Sequence, residues 1–233
     1  MKNNILFFFL ISLRSLCFGD SLFYDITVYG IKCGEISFYN NQNSELKIKT
    51  HSIGLINYFF PFDNEYNVNY DSSSFNMINY SKTIKQGQFK QTLFGVWDHK
   101  KNKIKYEGHV DLPRTNPSLT ILSFLPMIRQ VSKNELDTKW FPIEHEGKLF
   151  KSRVLFSDSV NLDYNGSSIL CNHFRLDLIP DSKKKILDQS DYFNNNIVRS
   201  DAIRQLWVEN LNKKRILKAS VKIGFIEVVA ILK

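Results

Sequence analysis

The amino-acid sequence predicts a mainly β protein, built on an antiparallel curled sheet that forms a barrel or half-barrel with one or two short helices. A β-sandwich is the alternative. Two observations predict this. Apolar residues recur with period two through most of the chain, the spacing of a strand with one buried face. Glycine-containing or polar turns separate these runs at short intervals, and the strand–helix alternation of a parallel α/β protein is missing, so strands must pair with their sequence neighbours.

The first segment is different. Lys2 precedes an apolar run from Ile5 to Leu13, and Cys17-Phe18-Gly19 follows with small residues suited to cleavage. The run is too short to cross a bilayer, and its placement is that of a secretory signal peptide over residues 1–19. Residues 20–233 then form a single β-rich domain, exported and without a transmembrane span. Loss of Lys2 and Arg14, with no acid in the leader, lowers the formal net charge from +8 to +6. Cleavage also leaves Cys33 and Cys171 as the two remaining thiols. They are read as small buried apolar residues, with a disulfide as the alternative in an oxidising compartment.

Leu22–Tyr29 reads as the first strand, and Gly30-Ile31-Lys32-Cys33-Gly34 as a glycine-bracketed turn. Gly30 and Gly34 answer a backbone need, either positive φ or close strand approach. Asp25 and Glu35 flank this turn in solvent-facing or turn-stabilising roles. Strands follow at Glu35–Tyr39 and Glu45–His51, then a short helix or apolar turn at Ser52–Pro61. Further strands are expected at 65–70, 75–84, 88–97 and 103–108, the last two joined by a loop at Asp98–Asn102. Asn116-Pro117 predicts a helix N-terminus, with Leu119, Leu122 and Leu125 on an apolar face and Pro126 ending or kinking the element. Strands resume at 140–146, 148–156, 159–164 and 168–179, with Asn165-Gly166 as a turn. Residues 180–200 lose the pattern and read as a mobile loop. A three-stranded meander around Gly224 ends the chain.

Tyr24–Ile36, the Asp63–Tyr70 strand, the Pro117–Arg129 helix, Leu206-Trp207-Val208-Glu209 and Val221–Glu227 resemble an exported bacterial family known as domain of unknown function 3108. The resemblance covers nearly all of the chain beyond the leader. It implies a periplasmic or outer-envelope location in a Gram-negative bacterium and a fold like that of lipoprotein carriers. It supplies no catalytic residues.

The residues themselves nominate little chemistry. The five histidines lack zinc-site spacing, and Glu144, His145 and Glu146 read as a loop or strand-edge cluster. Phosphate-cradling glycine loops and a hydrolase serine elbow are missing, so no catalytic residue, metal or cofactor is expected. Nucleic acid is not an expected partner. The aromatic content is the feature needing explanation: Tyr58, Phe59, Phe60 and Phe62 put four rings in five residues. They fill the core, or they form with Leu122 and Leu125 the wall or lid of an apolar pocket. Residues 82–105 hold seven lysines against one acid, Asp98. This span is expected to be an exposed hairpin, with Lys100, Lys101 and Lys103 facing an anionic envelope surface or simply solvent. Three functions follow in order: a non-enzymatic envelope protein binding an apolar or amphipathic ligand such as lipid, or another envelope component; an assembly factor with a filled core; and a hydrolase of envelope polymers.

Overall fold

The computed structural model describes residues 19–109, 111–113, 119–181, 190–211 and 213–233. The expected leader, up to Phe18, and the expected helix start at Asn116-Pro117 lie outside the described residues.

The chain is mainly β. It runs β1 (Asp20–Val28), β2 (Ile31–Asn40), β3 (Glu45–Ser52), α1 (Gly54–Phe59), β4 (Phe62–Tyr70), β5 (Met77–Gln86), β6 (Phe89–Asp98), β7 (Lys103–Tyr106) and β8 (Leu112–Pro113). It continues with α2 (Ile121–Gln130), α3 (Lys133–Leu136), β9 (Trp140–His145), β10 (Lys148–Tyr164), β11 (Ser167–Pro180), α4 (Tyr192–Ile197), β12 (Ile203–Glu209), β13 (Ile216–Ile223) and β14 (Ile226–Leu232). All strands join one antiparallel sheet in the order β8-β7-β6-β5-β4-β3-β2-β1-β14-β13-β12-β11-β10-β9. Two meanders are thus fused by the pairing of β1 with β14, Ile26 lying opposite Ala230.

The sheet curls but its ladder does not close. β8 and β9 are its two ends, yet the Tyr106 hydroxyl of β7 donates to Glu144 of β9 at 2.8 Å. Strands near opposite ends of the sheet therefore face each other. Leu119 covers part of the free side of β9 through a parallel bridge to Ile143. The inner face and α2 share one hydrophobic core, which includes Leu46, Val68, Tyr80, Ile104, Phe124, Ile143, Val154 and Phe174.

Turn chemistry sets the register. Tyr29 and Gly30 both have positive φ (50° and 76°), the requirement of a two-residue type I′ hairpin turn. The turn is therefore shorter than the five-residue Gly30–Gly34 segment expected, and β2 begins at Ile31. Gly34 lies inside β2, where an added Cβ would stand 2.7 Å from the His51 carbonyl oxygen. A register shift at Ile26/Thr27 leaves Cys33 as the extra residue of a bulge. Asp25 pairs directly with Glu35, and Lys32 and Lys233 bridge both acids. The expected break at 156–159 is a bulge within the single strand β10.

Thr120 caps α2, exchanging hydrogen bonds with Ser123, a reciprocal box that satisfies two end groups. Pro126 does not end this helix, which continues to Gln130. Only one intrahelical donor is lost at a proline, and the apolar face keeps the remainder buried. The stretch read as a loop at 180–200 contains α4, capped by Asp191, whose side chain accepts from the Asn194 amide. Burial and capping order α4 although its sequence lacks a hydrophobic period; residues 182–189 of the expected loop lie outside the described residues. Cys33 and Cys171 are both buried and free, so the disulfide alternative does not hold.

Candidate functional site: an apolar cavity and a buried polar seam

Because the strands alternate in direction, the sheet has two distinct ends. Turns 29–30, 87–88, 146–147 and 224–225 stand at one end with α1 and α4; turns 41–44, 99–102, 165–166 and 210–215 stand at the other. The helix α2 crosses the interior and reaches the second end. There Arg129 donates to the backbone carbonyls of Lys213 and Lys214 and pairs with Asp20.

Above α2, inside the curl, lies a cavity of about 430 Å³, within the usual range of small-molecule sites. Its wall is mostly aliphatic: Ile26, Ile48, Leu176, Leu206 and Val228 from the sheet, with Leu122, Phe124 and Leu125 from α2. The space exists because small residues face it. Ala219 and Ala230 are directly opposed across β13 and β14, and both line it. Tyr192 and Ile226 line it too and are about half exposed, which places the mouth at the α4 end. Arg204 fixes the wall there by donating to the carbonyls of Ile197, Arg199 and Ala202. Burial pulls its pKa down to about 10, still cationic, and its donors are occupied in closing the end of α4.

Of the residues expected to form a pocket or lid, Leu122 and Leu125 are on this wall. The four aromatics are not. Tyr58 and Phe59 project into solvent, because α1 is a six-residue helix that buries none of its residues. Phe60 packs edge-to-face on Tyr192 at the mouth. Phe62 is buried in a satellite cluster with Ile26 and Cys33.

Beside the cavity, across the gap between β5–β7 and β9, runs a polar seam. Lys82 is the surprise: expected among hydrated lysines, it is 1% exposed. Its amine lies 2.7 Å from Glu146 and 3.0 Å from Asp191. Glu146 also accepts from Tyr80 (2.7 Å), Ser190 (2.5 Å) and Asn194 (2.6 Å). Asp191 accepts from Tyr66 (2.9 Å) and Asn194 (2.9 Å). Next to it, Glu144 accepts from Tyr106 and from the Gly147 amide. Glu144, His145 and Glu146, read as a loop or strand-edge cluster, lie at the end of the edge strand β9 and in the turn that follows it, and all three are buried. Glu146 has φ 50° in that turn, and the curl buries it against β5 and α4.

Burial opposes ionisation of Glu146. The neighbouring His145 ring, the Lys82 ammonium and the Lys82 and Ser190 hydrogen bonds outweigh it and hold the carboxyl well below the usual range. Glu144 has no cation in contact among the described residues, and burial lifts it to about 7. Burial likewise lowers His145, whose ring nitrogens have no hydrogen-bond partner among the described residues. The seam does for side chains what a ladder would do for backbone. It joins β5 and β7 to β9 and pins α4, hence one wall of the cavity, to the sheet. Tyr66 and Asn194 belong to both features.

The lysine span divides. Lys85 and Lys90 pair across β5 and β6 at the mouth end. Lys100 and Lys101 are exposed at the other end with Lys103, separated from the first pair by the ten-residue β6, about 33 Å of strand. The amides of Lys100 and Lys101 donate to Asp98, a turn device.

The fold is that of a curled antiparallel β domain of a kind already seen in a protein of unknown function. It matches the crystal structure of a β-barrel-like protein of domain of unknown function DUF1849 from Brucella abortus with a TM-score of 0.61, covering 93% of this chain and 96% of that one at 7% identity. A looser likeness, TM-score 0.39 and 11% identity over 93% and 87% of the two chains, links it to the hypothetical lipoprotein YmcC from Escherichia coli (K12). No family model and no curated protein matches the sequence.

Proposed function

We propose that this is an exported protein of the Gram-negative envelope, akin to domain of unknown function 3108, that holds an apolar or amphipathic ligand without chemically transforming it. The apolar cavity carries this reading. A wall of aliphatic side chains around opposed alanines offers dispersion and area burial, and few polar groups, so it suits a hydrocarbon better than a sugar or peptide. The leader and the sequence resemblance support the location. The acids and histidine that might have argued for hydrolysis pack against one another in the seam, where Glu144, Glu146 and Asp191 take their hydrogen bonds from protein groups.

The test is ligand retention. Protein purified from its own envelope should release a lipid-class molecule on solvent extraction, seen as a mass difference by native mass spectrometry. Ala230→Phe should fill the space beside Ala219, abolish that mass and weaken binding of a fluorescent fatty acid by about tenfold or more. Wild-type protein that carries nothing and ignores the fluorescent probe would favour the filled-core assembly factor instead.

A further inference from the structure

Among the described residues, the six most exposed large apolar side chains are Tyr29, Ile31, Leu55, Tyr58, Phe59 and Phe225, at 69–86% exposure. All six stand at the mouth end, on the β1–β2 turn, α1 and the β13–β14 turn. Such a concentration is not the scatter of single apolar residues expected on a soluble surface. The tips of this rim are tied down at two places: the Tyr29 hydroxyl donates to the Phe225 carbonyl at 3.0 Å, and Phe60 of the α1 segment packs on Tyr192 of α4.

We propose that this rim docks the protein on a lipid bilayer, with the cavity mouth facing the membrane. Three features select a bilayer over a protein partner. The projecting segments are uncharged: Tyr29–Ile31, Ile53–Phe62 and Ile223–Ile226 contain no ionisable side chain other than tyrosine. Tyrosine and phenylalanine are interleaved there, the side chains that settle at the water–hydrocarbon boundary. Behind the tips, the first charged residues on the adjoining strands are Asp25, Lys32, Lys49, Asp63, Lys85, Lys90, Lys222 and Glu227. Lysine outnumbers acid among them; Lys32 and Lys49 are held in ion pairs with Asp25, Glu35 and Glu65, and Lys85, Lys90 and Lys222 are placed to reach phosphate head groups while their stems lie along the apolar tips. The tips occupy one arc of the mouth end, from β13 through β14 and β1 to β4, and Ile226, next to Phe225, lines the cavity, so docking brings the mouth to the acyl layer. This orientation rests on the ligand-binding reading above; the docking does not.

Vesicle flotation tests it. The protein should float with phosphatidylcholine vesicles, and more strongly when one-fifth of the lipid is phosphatidylglycerol. Combined Tyr58→Ser, Phe59→Ser and Phe225→Ser changes, all at exposed positions, should leave the melting temperature unchanged and cut binding about a hundredfold. Phe225→Trp should shift its fluorescence to the blue on adding vesicles. Glutamine at Lys100, Lys101 and Lys103, on the opposite end, should change nothing. Failure of wild-type protein to float, equal flotation of the serine variant, or binding confined to anionic vesicles and abolished by salt would each overturn the proposal. Ala230→Phe separates the two readings: it should lose the cavity ligand and still float.

Discussion

Removing the Lys82 amine tests the buried seam most severely. In Lys82→Met the side-chain volume is roughly kept, while Glu146 and Asp191 lose the cation they share. All three side chains are at most 3% exposed, so water cannot replace it. Two carboxylates about 5 Å apart repel by roughly 3 kcal/mol at an effective dielectric constant of about 20. Breaking one side of a buried ion pair costs about 3–5 kcal/mol. Against a typical total of about 5–15 kcal/mol, that is a large share, and urea unfolding followed by circular dichroism would read it as a lower midpoint. The cost should shrink at pH 5 relative to pH 8, because protonating either orphaned carboxylate relieves it. Adding Glu146→Gln and Asp191→Asn should recover part of the loss, since neutral amides leave no uncompensated charge. Hydrogen exchange of α4 should accelerate in the single variant, because Asp191 and Asn194 anchor that helix. A loss below about 1 kcal/mol, or one independent of pH, would show that the seam neither holds the ion pair nor joins the sheet.

Three further outcomes follow from single sites. Glu144, raised to about 7 when folded, binds its proton more tightly than in the unfolded chain; its contribution to stability is therefore lost as pH rises from about 4.5 to 7, on the order of 3 kcal/mol. Glu144→Gln should match wild type near pH 4.5 and unfold at higher urea at pH 8; equal stability at both pH values would refute this. Gly34→Ala should cost about 1–3 kcal/mol because its Cβ meets the His51 carbonyl, a backbone atom that cannot swing aside, and an unchanged melting temperature would contradict the close packing. Burial raises the pKa of both Cys33 and Cys171, so neither should react with a thiol reagent at pH 8 until urea is added. Rapid labelling of the folded protein would place a thiol at the surface.

The architecture was legible because a strand advertises itself locally. Alternation in Glu45–Ser52 or Phe62–Tyr70 tells which side chains face inward, and Asn165-Gly166 announces its own turn. The curled sheet, the terminal meander and the apolar face of α2 follow from such patterns, as do Leu122 and Leu125 on the cavity wall. The same local reading placed Lys82 among hydrated lysines and Tyr58 and Phe59 near a pocket, since composition within a few residues was all it could weigh. The curl decides these cases. It brings β5 to β9, 64 positions apart at Lys82 and Glu146, so a lysine on an inward-facing strand position meets a carboxylate on a distant turn. It leaves α1 outside the sheet with nothing to cover it. Burial of a charge depends on a partner supplied from elsewhere in the chain, and exposure of a ring depends on which surfaces meet it. Neither is encoded within any one segment, and both arise only when the two meanders close around α2.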